Sequence, residues 1–196
     1  MLVLASQSPR RREILERAGF ELCVRVSGVP EDRLAGEHAD AYVRRLASAK
    51  AAAVPREAGE IVLGADTVVV LGGDVMEKPR DTAHAIQMLT MLSGAEHRVI
   101  TGICLRYEGG QICDSAETAV RFAPLSRAEI EDYVRSGEPM DKAGGYAIQG
   151  LAAKFIERID GCYFNVVGLP VSLVYRHLKE IGAGLMPGRN LPMKYR

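Results

Sequence analysis

The sequence predicts an α/β protein with a mixed β-sheet flanked by helices. Three observations carry this. The run Ile61–Leu71 (IVLGADTVVVL) is apolar and β-branched almost throughout, as in a strand buried on both faces and so covered by helices. Two long strand-like runs, 97–107 and 111–122, flank Glu108-Gly109-Gly110 and read as an antiparallel hairpin. Around them, apolar residues recur at helical spacing, so helices and strands mix along the chain.

In chain order, residues 2–5 are short and apolar, like the start of a buried strand. Pro9 suits the first position of a helix, with Ser8 as N-cap; Ile14, Leu15 and Ala18 share a face and Gly19 ends it. The first turn holds Arg10, Arg11 and Arg12, where the helix dipole favours acids, a penalty of roughly a few tenths of a kcal/mol each. Residues 21–26 read as a second strand and 27–40 as a charged, Gly- and Pro-containing loop that carries Glu31. The helix expected over 40–53 places Tyr42, Val43, Leu46 and Ala47 on one face and Lys50 near its C-terminal end. Strand 61–71 ends at the turn Gly72-Gly73-Asp74. Asp81 starts a helix lined by Ala85, Ile86, Leu89 and Leu92 and closed by Ser93-Gly94. After the hairpin, Ser126-Arg127-Ala128-Glu129 is a capping box opening a helix to about residue 136. A glycine-containing loop at 137–146, a strand over 152–159 and a last helix over 169–181 complete the pattern. Residues 1–182 are expected to form one domain and 183–196 a flexible tail.

Lys+Arg and Asp+Glu both number 25, so any anion site must be a local cluster and a general nucleic-acid binder is disfavoured. No apolar run approaches the ~20 residues of a membrane span, and no signal-peptide pattern is present, so a cytoplasmic protein is expected. Cys23, Cys104, Cys113 and Cys162 lack metal-ligand spacing and read as buried or half-buried free thiols. His38, His84, His97 and His177 are equally dispersed, which argues against a histidine metal site.

Three features carry chemistry. At the arginine-rich helix start, free N–H groups and guanidinium forks suit phosphate; a solvated basic face balanced by Glu13 and Glu16 is the alternative. Asp66, inside Gly64-Ala65-Asp66-Thr67 of an otherwise apolar run, suits a metal ligand or general base, or else marks a bend or sheet edge. Glu31 offers a second carboxylate, since magnesium takes one or two carboxylates plus phosphate oxygens. Lys78, in Glu77-Lys78-Pro79, and Lys142, in Asp141-Lys142-Ala143, sit in loops that can clamp phosphate. No GxxxxGK[ST] or GxGxxG motif occurs. The residues alone imply a metal-assisted phosphate reaction; the expected cofactor is a divalent cation, Mg2+, Mn2+ or Co2+.

Several stretches together resemble the Maf family: Ala5-Ser6-Gln7-Ser8-Pro9-Arg10-Arg11, Gly64-Ala65-Asp66-Thr67, Glu77-Lys78-Pro79, Leu92-Ser93-Gly94 with His97, and Thr101-Gly102. So do Asp141-Lys142-Ala143-Gly144-Gly145-Tyr146-Ala147-Ile148-Gln149-Gly150 and Asn165-Val166-Val167-Gly168-Leu169-Pro170. The resemblance spans residues 2–182 in the family's order. It implies an elongated, two-lobed, inosine-triphosphatase-like (Maf/Ham1-type) fold with the site in the cleft between lobes. It implies a nucleoside triphosphate pyrophosphatase cleaving between the α and β phosphates, and a homodimer. By resemblance Asp66 is the proton acceptor, and Glu31, Lys50 and Lys78 are charged residues of the catalytic cleft. Ser6, Ser8 and Arg11 match the phosphate-binding segment, and Arg10, Thr67 and Gln149 match positions that select the base. Arg12 has no assigned task. The sister subgroup acting on 7-methyl-GTP has Ser-Asp-Gln where this chain has Ala65-Asp66-Thr67, which favours the subgroup acting on dTTP and UTP.

Where the family often has further glycine, this chain has Leu151-Ala152-Ala153-Lys154, which would be costly if that backbone needed positive φ. Two other readings are the same reaction on 7-methyl-GTP or other non-canonical nucleotides, and a nucleotide-binding regulator of cell division or septum formation. A pure binder of a polyanion gains nothing from Glu31 and Asp66 without a metal, which favours an enzyme.

Overall fold

The computed structural model describes residues 1–183, so the expected tail lies almost entirely outside the described residues. One mixed, seven-stranded sheet runs β2-β1-β3-β5-β6-β7, with β4 also paired to β3. The strands are β1 (Leu2–Leu4), β2 (Leu22–Val24), β3 (Ile61–Leu71), β4 (Asp74–Met76), β5 (Glu96–Tyr107), β6 (Gly110–Phe122) and β7 (Ile156–Asp160). β1 lies parallel to β2 and β3, and the remaining pairings are antiparallel.

Alternation along β3 and β5 divides the core between the two faces of the sheet. On one face, α1 (Pro9–Arg17) and α6 (Val171–Glu180) cover Leu63, Ala65, Ile103 and Leu105. Further along the same face, α3 (Thr82–Leu92) and α4 (Arg127–Arg135) enclose Val69, Val99, Val120 and Phe122. These two clusters are separate parts of the core on that face. The opposite face carries Val62, Cys104, Val68, Val70 and Ile100 beneath α2 (Ala39–Ala53). β3 occupies the residues the sequence assigns to it, and the capping box at Ser126 and Glu129 forms with both reciprocal hydrogen bonds.

Three expectations are corrected, and one element is added. Residues Leu151–Phe155 form a 3-10 turn, so the strand begins only at Ile156; a buried Ala152 and Phe155 spaced three apart fit that turn as well as a strand. The last helix starts at Val171, because Pro170 stands at its N-cap and a residue before proline avoids the helical region. A short helix, α5 (Tyr163–Val167), precedes it. Cys104 and Cys113 are joined by a disulfide instead of being free thiols, whereas Cys23 and Cys162 are free. They are direct partners in the β5–β6 register with Cα atoms 4.1 Å apart, a proximity set by the hairpin and not by any spacing rule. Thiol titration of the unfolded, unreduced protein is expected to find two reactive cysteines, rising to four after reduction; four without reductant would contradict the pairing.

Candidate active site

The site arises from a gap along one edge of β3. β1 runs parallel to β3 and stops opposite Leu63, where the Ala5 N–H donates to the Leu63 carbonyl at 2.8 Å. β4 runs antiparallel and reaches β3 only as far as Val69. Residues 64–68 therefore have no strand on that side, and the chain leaving β1 and the chain leaving β4 both turn away at this gap. Between them lies a cavity of about 620 Å³, and every candidate residue read from the sequence lines it. Ser6, Ser8, Arg10 and Arg11 come from the β1–α1 turn, and Asp66 and Thr67 from the gap itself. Glu31 comes from its loop, Lys50 from α2, Lys78 from the segment after β4, and Lys142 and Gln149 from the loop after α4.

Asp66 is only 7% exposed and faces α2. The helix reaches it because Gly64 and Gly102 remove side chains where α2 crosses the sheet. A Cβ on Gly64 would lie 2.8 Å from the Ala51 backbone nitrogen and closer still to the Ala47 carbonyl oxygen. One on Gly102 would lie 2.5 Å from the Val43 carbonyl. The space that Gly64 leaves is filled by the backbone of α2. Lys50 is consequently placed with Nζ 2.7 Å from Asp66 Oδ1 and 2.6 Å from Glu31 Oε1. Lys78 adds a weaker contact, 3.7 Å to Glu31 Oε2. Burial pushes the Glu31 carboxyl up, but Lys50, Lys78 and Arg11 outweigh it and hold the group below the usual range. Tyr42, which the helical pattern placed on the core face, donates its hydroxyl to the Glu31 carbonyl and fastens the loop. No periodicity argument distinguishes such a tyrosine from one that only fills the core.

Arg11 is 9% exposed, and four of its five N–H donors serve the protein. Nε donates to the Gly168 carbonyl at 2.8 Å, and Nη1 to Ser6 Oγ at 3.1 Å and the Ala65 carbonyl at 2.9 Å. Nη2 donates to Thr67 Oγ1 at 3.0 Å. Arg11 thus satisfies a carbonyl of the unpaired β3 edge and pins both walls of the gap. Thr67 continues the chain to Thr101 Oγ1 at 2.9 Å, and Thr101 donates to the Asn165 carbonyl at 3.1 Å. Arg10 lies across the cavity mouth, 3.5 Å from Asp141 Oδ2, whereas Arg12 pairs with Glu16 on the exposed side of α1 at 2.7 Å. The three consecutive arginines have three different environments.

The loop after α4 forms the far wall as two 3-10 turns, Glu138–Asp141 and Ala143–Gly145. It is tied to the segment after β4 by the Gly144 N–H, which donates to the Glu77 carbonyl at 3.1 Å. Lys142 Nζ donates to the Glu138 carbonyl at 2.6 Å and pairs with Asp141. Among the described residues no non-glycine residue has positive φ, so Leu151-Ala152-Ala153-Lys154 occupies its turn without the penalty anticipated from the sequence.

Beneath the loop, Tyr146 and His97 are buried together, His97 Nε2 lying 2.8 Å from the Tyr146 hydroxyl. Burial depresses the His97 imidazole to about 4. The unfolded imidazole takes up a proton near pH 6.5 that the folded one refuses until about pH 4, so stability falls as pH drops through that window. From pH 7.5 to pH 5 the stability difference between wild type and His97→Gln is expected to shrink by about 2 kcal/mol, read from urea midpoints. A pH-independent difference would contradict a neutral buried imidazole.

Asp66 and Glu31 present two carboxylates to the cavity, with Glu77 on the same wall as Lys78. Among the described residues no three His, Cys, Asp or Glu side chains meet as a ready-made cage. That donor set fits a hard divalent cation of the magnesium type, which takes one or two carboxylates and completes its shell with phosphate oxygens and water. Among the described residues no helix is long and apolar enough to cross a membrane.

Comparison with known proteins extends the geometry. The family model described as Maf-like protein matches residues 1–181. A Geobacter sulfurreducens protein named dTTP/UTP pyrophosphatase is 50% identical over 185 residues, covering 93% of this chain and 97% of that one. The Salmonella typhimurium protein of the same name is 48% identical over 186 residues, covering 93% of each. In fold, the chain is similar to the Staphylococcus aureus Ham1 protein, with a TM-score of 0.51 at 12% identity over 92% of this chain and 98% of that one. With the Maf-like model running from the first strand to the last helix, and full-length relatives near half identity, this chain belongs to the Maf family.

Proposed function

We propose that the protein is a nucleoside triphosphate pyrophosphatase that hydrolyses the α–β phosphoanhydride of dTTP and UTP, giving the monophosphate and pyrophosphate. The carrying observation is the buried Asp66–Lys50 pair, joined at its exposed end by Glu31, facing a cavity ringed by Arg10, Lys78 and Lys142. One acidic centre inside a basic ring suits a polyanionic substrate whose attacking water must lose a proton. The names of the relatives support the reaction and the pyrimidine preference, and so does Thr67 in Ala65-Asp66-Thr67.

In this reading Asp66 accepts the proton of the attacking water while Lys50 fixes the carboxylate's orientation. Ser6 and Ser8, with the free N–H groups at the start of α1, bind phosphate oxygens. Lys78 and Lys142 offset charge that develops on the leaving pyrophosphate. Arg11 contributes its charge and the rigidity of the gap, with one Nη2 hydrogen left for phosphate. Arg10, Thr67 and Gln149 select the base; the Gln149 amide offers both a donor and an acceptor to a pyrimidine edge. Asp66 and Glu31 would hold Mg2+, Mn2+ or Co2+, which when bound neutralises phosphate oxygens and acidifies water. Residues 1–182 act as one domain that spans both lobes, and two copies pair in the cytoplasm. The work is house-cleaning of nucleotide pools.

Pyrophosphate release from a nucleotide panel with each of the three metals tests this. UTP and dTTP are expected to exceed 7-methyl-GTP by about tenfold or more in kcat/KM, the worth of one good polar contact in the base pocket. A preference for 7-methyl-GTP would refute the base assignment, and absence of turnover for every triphosphate would favour the septum-regulator reading.

A further inference from the structure

The base-reading turn is held by a carboxylate that none of the site assignments uses. Residues 147–150 form a tight turn closed by the Gly150 N–H, which donates to the Ala147 carbonyl at 3.0 Å, and this turn presents Ile148 and Gln149 to the cavity. Glu138, one turn of chain after α4, reaches it from below. Its Oε2 accepts the Leu151 N–H at 3.0 Å, and its Oε1 accepts the Tyr133 hydroxyl at 2.8 Å. Tyr133 is itself fixed, buried in the core cluster under α3 and α4 and set edge-on to Phe155 with ring centroids 5.5 Å apart. The carboxylate also lies flat against Gly150, where a Cβ would fall 2.5 Å from Glu138 Cδ.

We propose that Glu138 is a positioning residue for base selection. It couples α4 to the backbone immediately after Gln149, and so sets where the Gln149 amide stands in the cavity. Three observations converge. Both carboxylate oxygens are used by donors from separate elements, Tyr133 of α4 and Leu151 of the following turn. Gly150 leaves room for the carboxylate alone. The backbone carbonyl of the same residue accepts the Lys142 ammonium, so the base-side and phosphate-side groups of this loop share one anchor. Glu138 reaches no substrate in this arrangement and acts only through the loop. The inference rests on the pyrimidine-selective reading above.

The test compares steady-state pyrophosphate release from UTP and GTP by wild type, Glu138→Ala, Glu138→Gln and Tyr133→Phe of the full chain. Glu138→Ala is expected to lower the UTP-over-GTP ratio of kcat/KM by about tenfold, through KM for UTP, because the freed Leu151 N–H no longer fixes the turn. kcat should stay within about threefold, since the Asp66 cluster lies on the other wall. Glu138→Gln should keep the ratio within about threefold of wild type: its amide oxygen accepts from Leu151 and its NH2 donates to the tyrosine oxygen. Tyr133→Phe, which removes one of the two bonds, should lower the ratio by about threefold. If the alanine variant does not fold, this tyrosine variant decides the question. A ratio unchanged in Glu138→Ala or in a folded Tyr133→Phe, or an equal loss for both nucleotides, overturns the proposal while leaving the pyrimidine reading intact. A wild type that does not prefer UTP overturns both.

Discussion

Asp66→Asn is expected to reduce pyrophosphate release from UTP about 10³-fold, within the range seen when a general base is removed. The substitution keeps the size of the side chain and leaves an oxygen that can accept from Lys50 Nζ, which now sits 2.7 Å from Asp66 Oδ1. Lys50 also retains Glu31 at 2.6 Å, so its ammonium is not stranded in the core. The fold should therefore survive, and the loss should appear in kcat, because what disappears is a proton acceptor and one carboxylate for the metal. Thermal denaturation run beside the kinetics separates chemistry from folding. A folded Asp66→Asn protein retaining more than a tenth of wild-type kcat would remove Asp66 from the proton-accepting role.

Gly64→Ala should be nearly as damaging by a purely steric route. The new methyl carbon would meet the Ala47 carbonyl and sit 2.8 Å from the Ala51 nitrogen, both backbone atoms inside α2. Neither can swing aside as a flexible side chain would, so the helix must lift from the sheet. The expected destabilisation is about 3 kcal/mol, the upper end of overpacking effects, or about 10 °C in melting temperature for a chain of this size. Lifting α2 also withdraws Lys50 from Asp66, so the folded fraction should be slower than wild type. Gly102→Ala, whose methyl would meet Val43 in the same helix, should behave alike. Wild-type melting and activity in both variants would show that the helix does not need this close approach.

What the sequence revealed and what it hid follow from the range of the forces involved. β3 was legible to the residue because nine of its eleven residues are apolar or glycine, a run with no other way to be buried. The capping box and Pro9 at the start of α1 were legible because caps are local chemistry. β4 was missed because three residues carry too little periodicity, and α5 because five do. The Cys104–Cys113 bond follows from register, which only the folded hairpin defines. In the site, the residue types were readable but their division of labour was not. Arg10, Arg11 and Arg12 are equivalent in the sequence, yet one faces Asp141, one is built into the sheet gap and one meets solvent beside Glu16. Gly64 is one small residue among several in the sequence, and only the path of α2 shows what it makes room for.

The central claim is that this cavity cleaves between the α and β phosphates. It is tested most directly by identifying the products of UTP hydrolysis by wild-type protein with a divalent metal. The account predicts UMP and pyrophosphate in equal amounts from the first turnover, with no UDP. UDP and orthophosphate would contradict it.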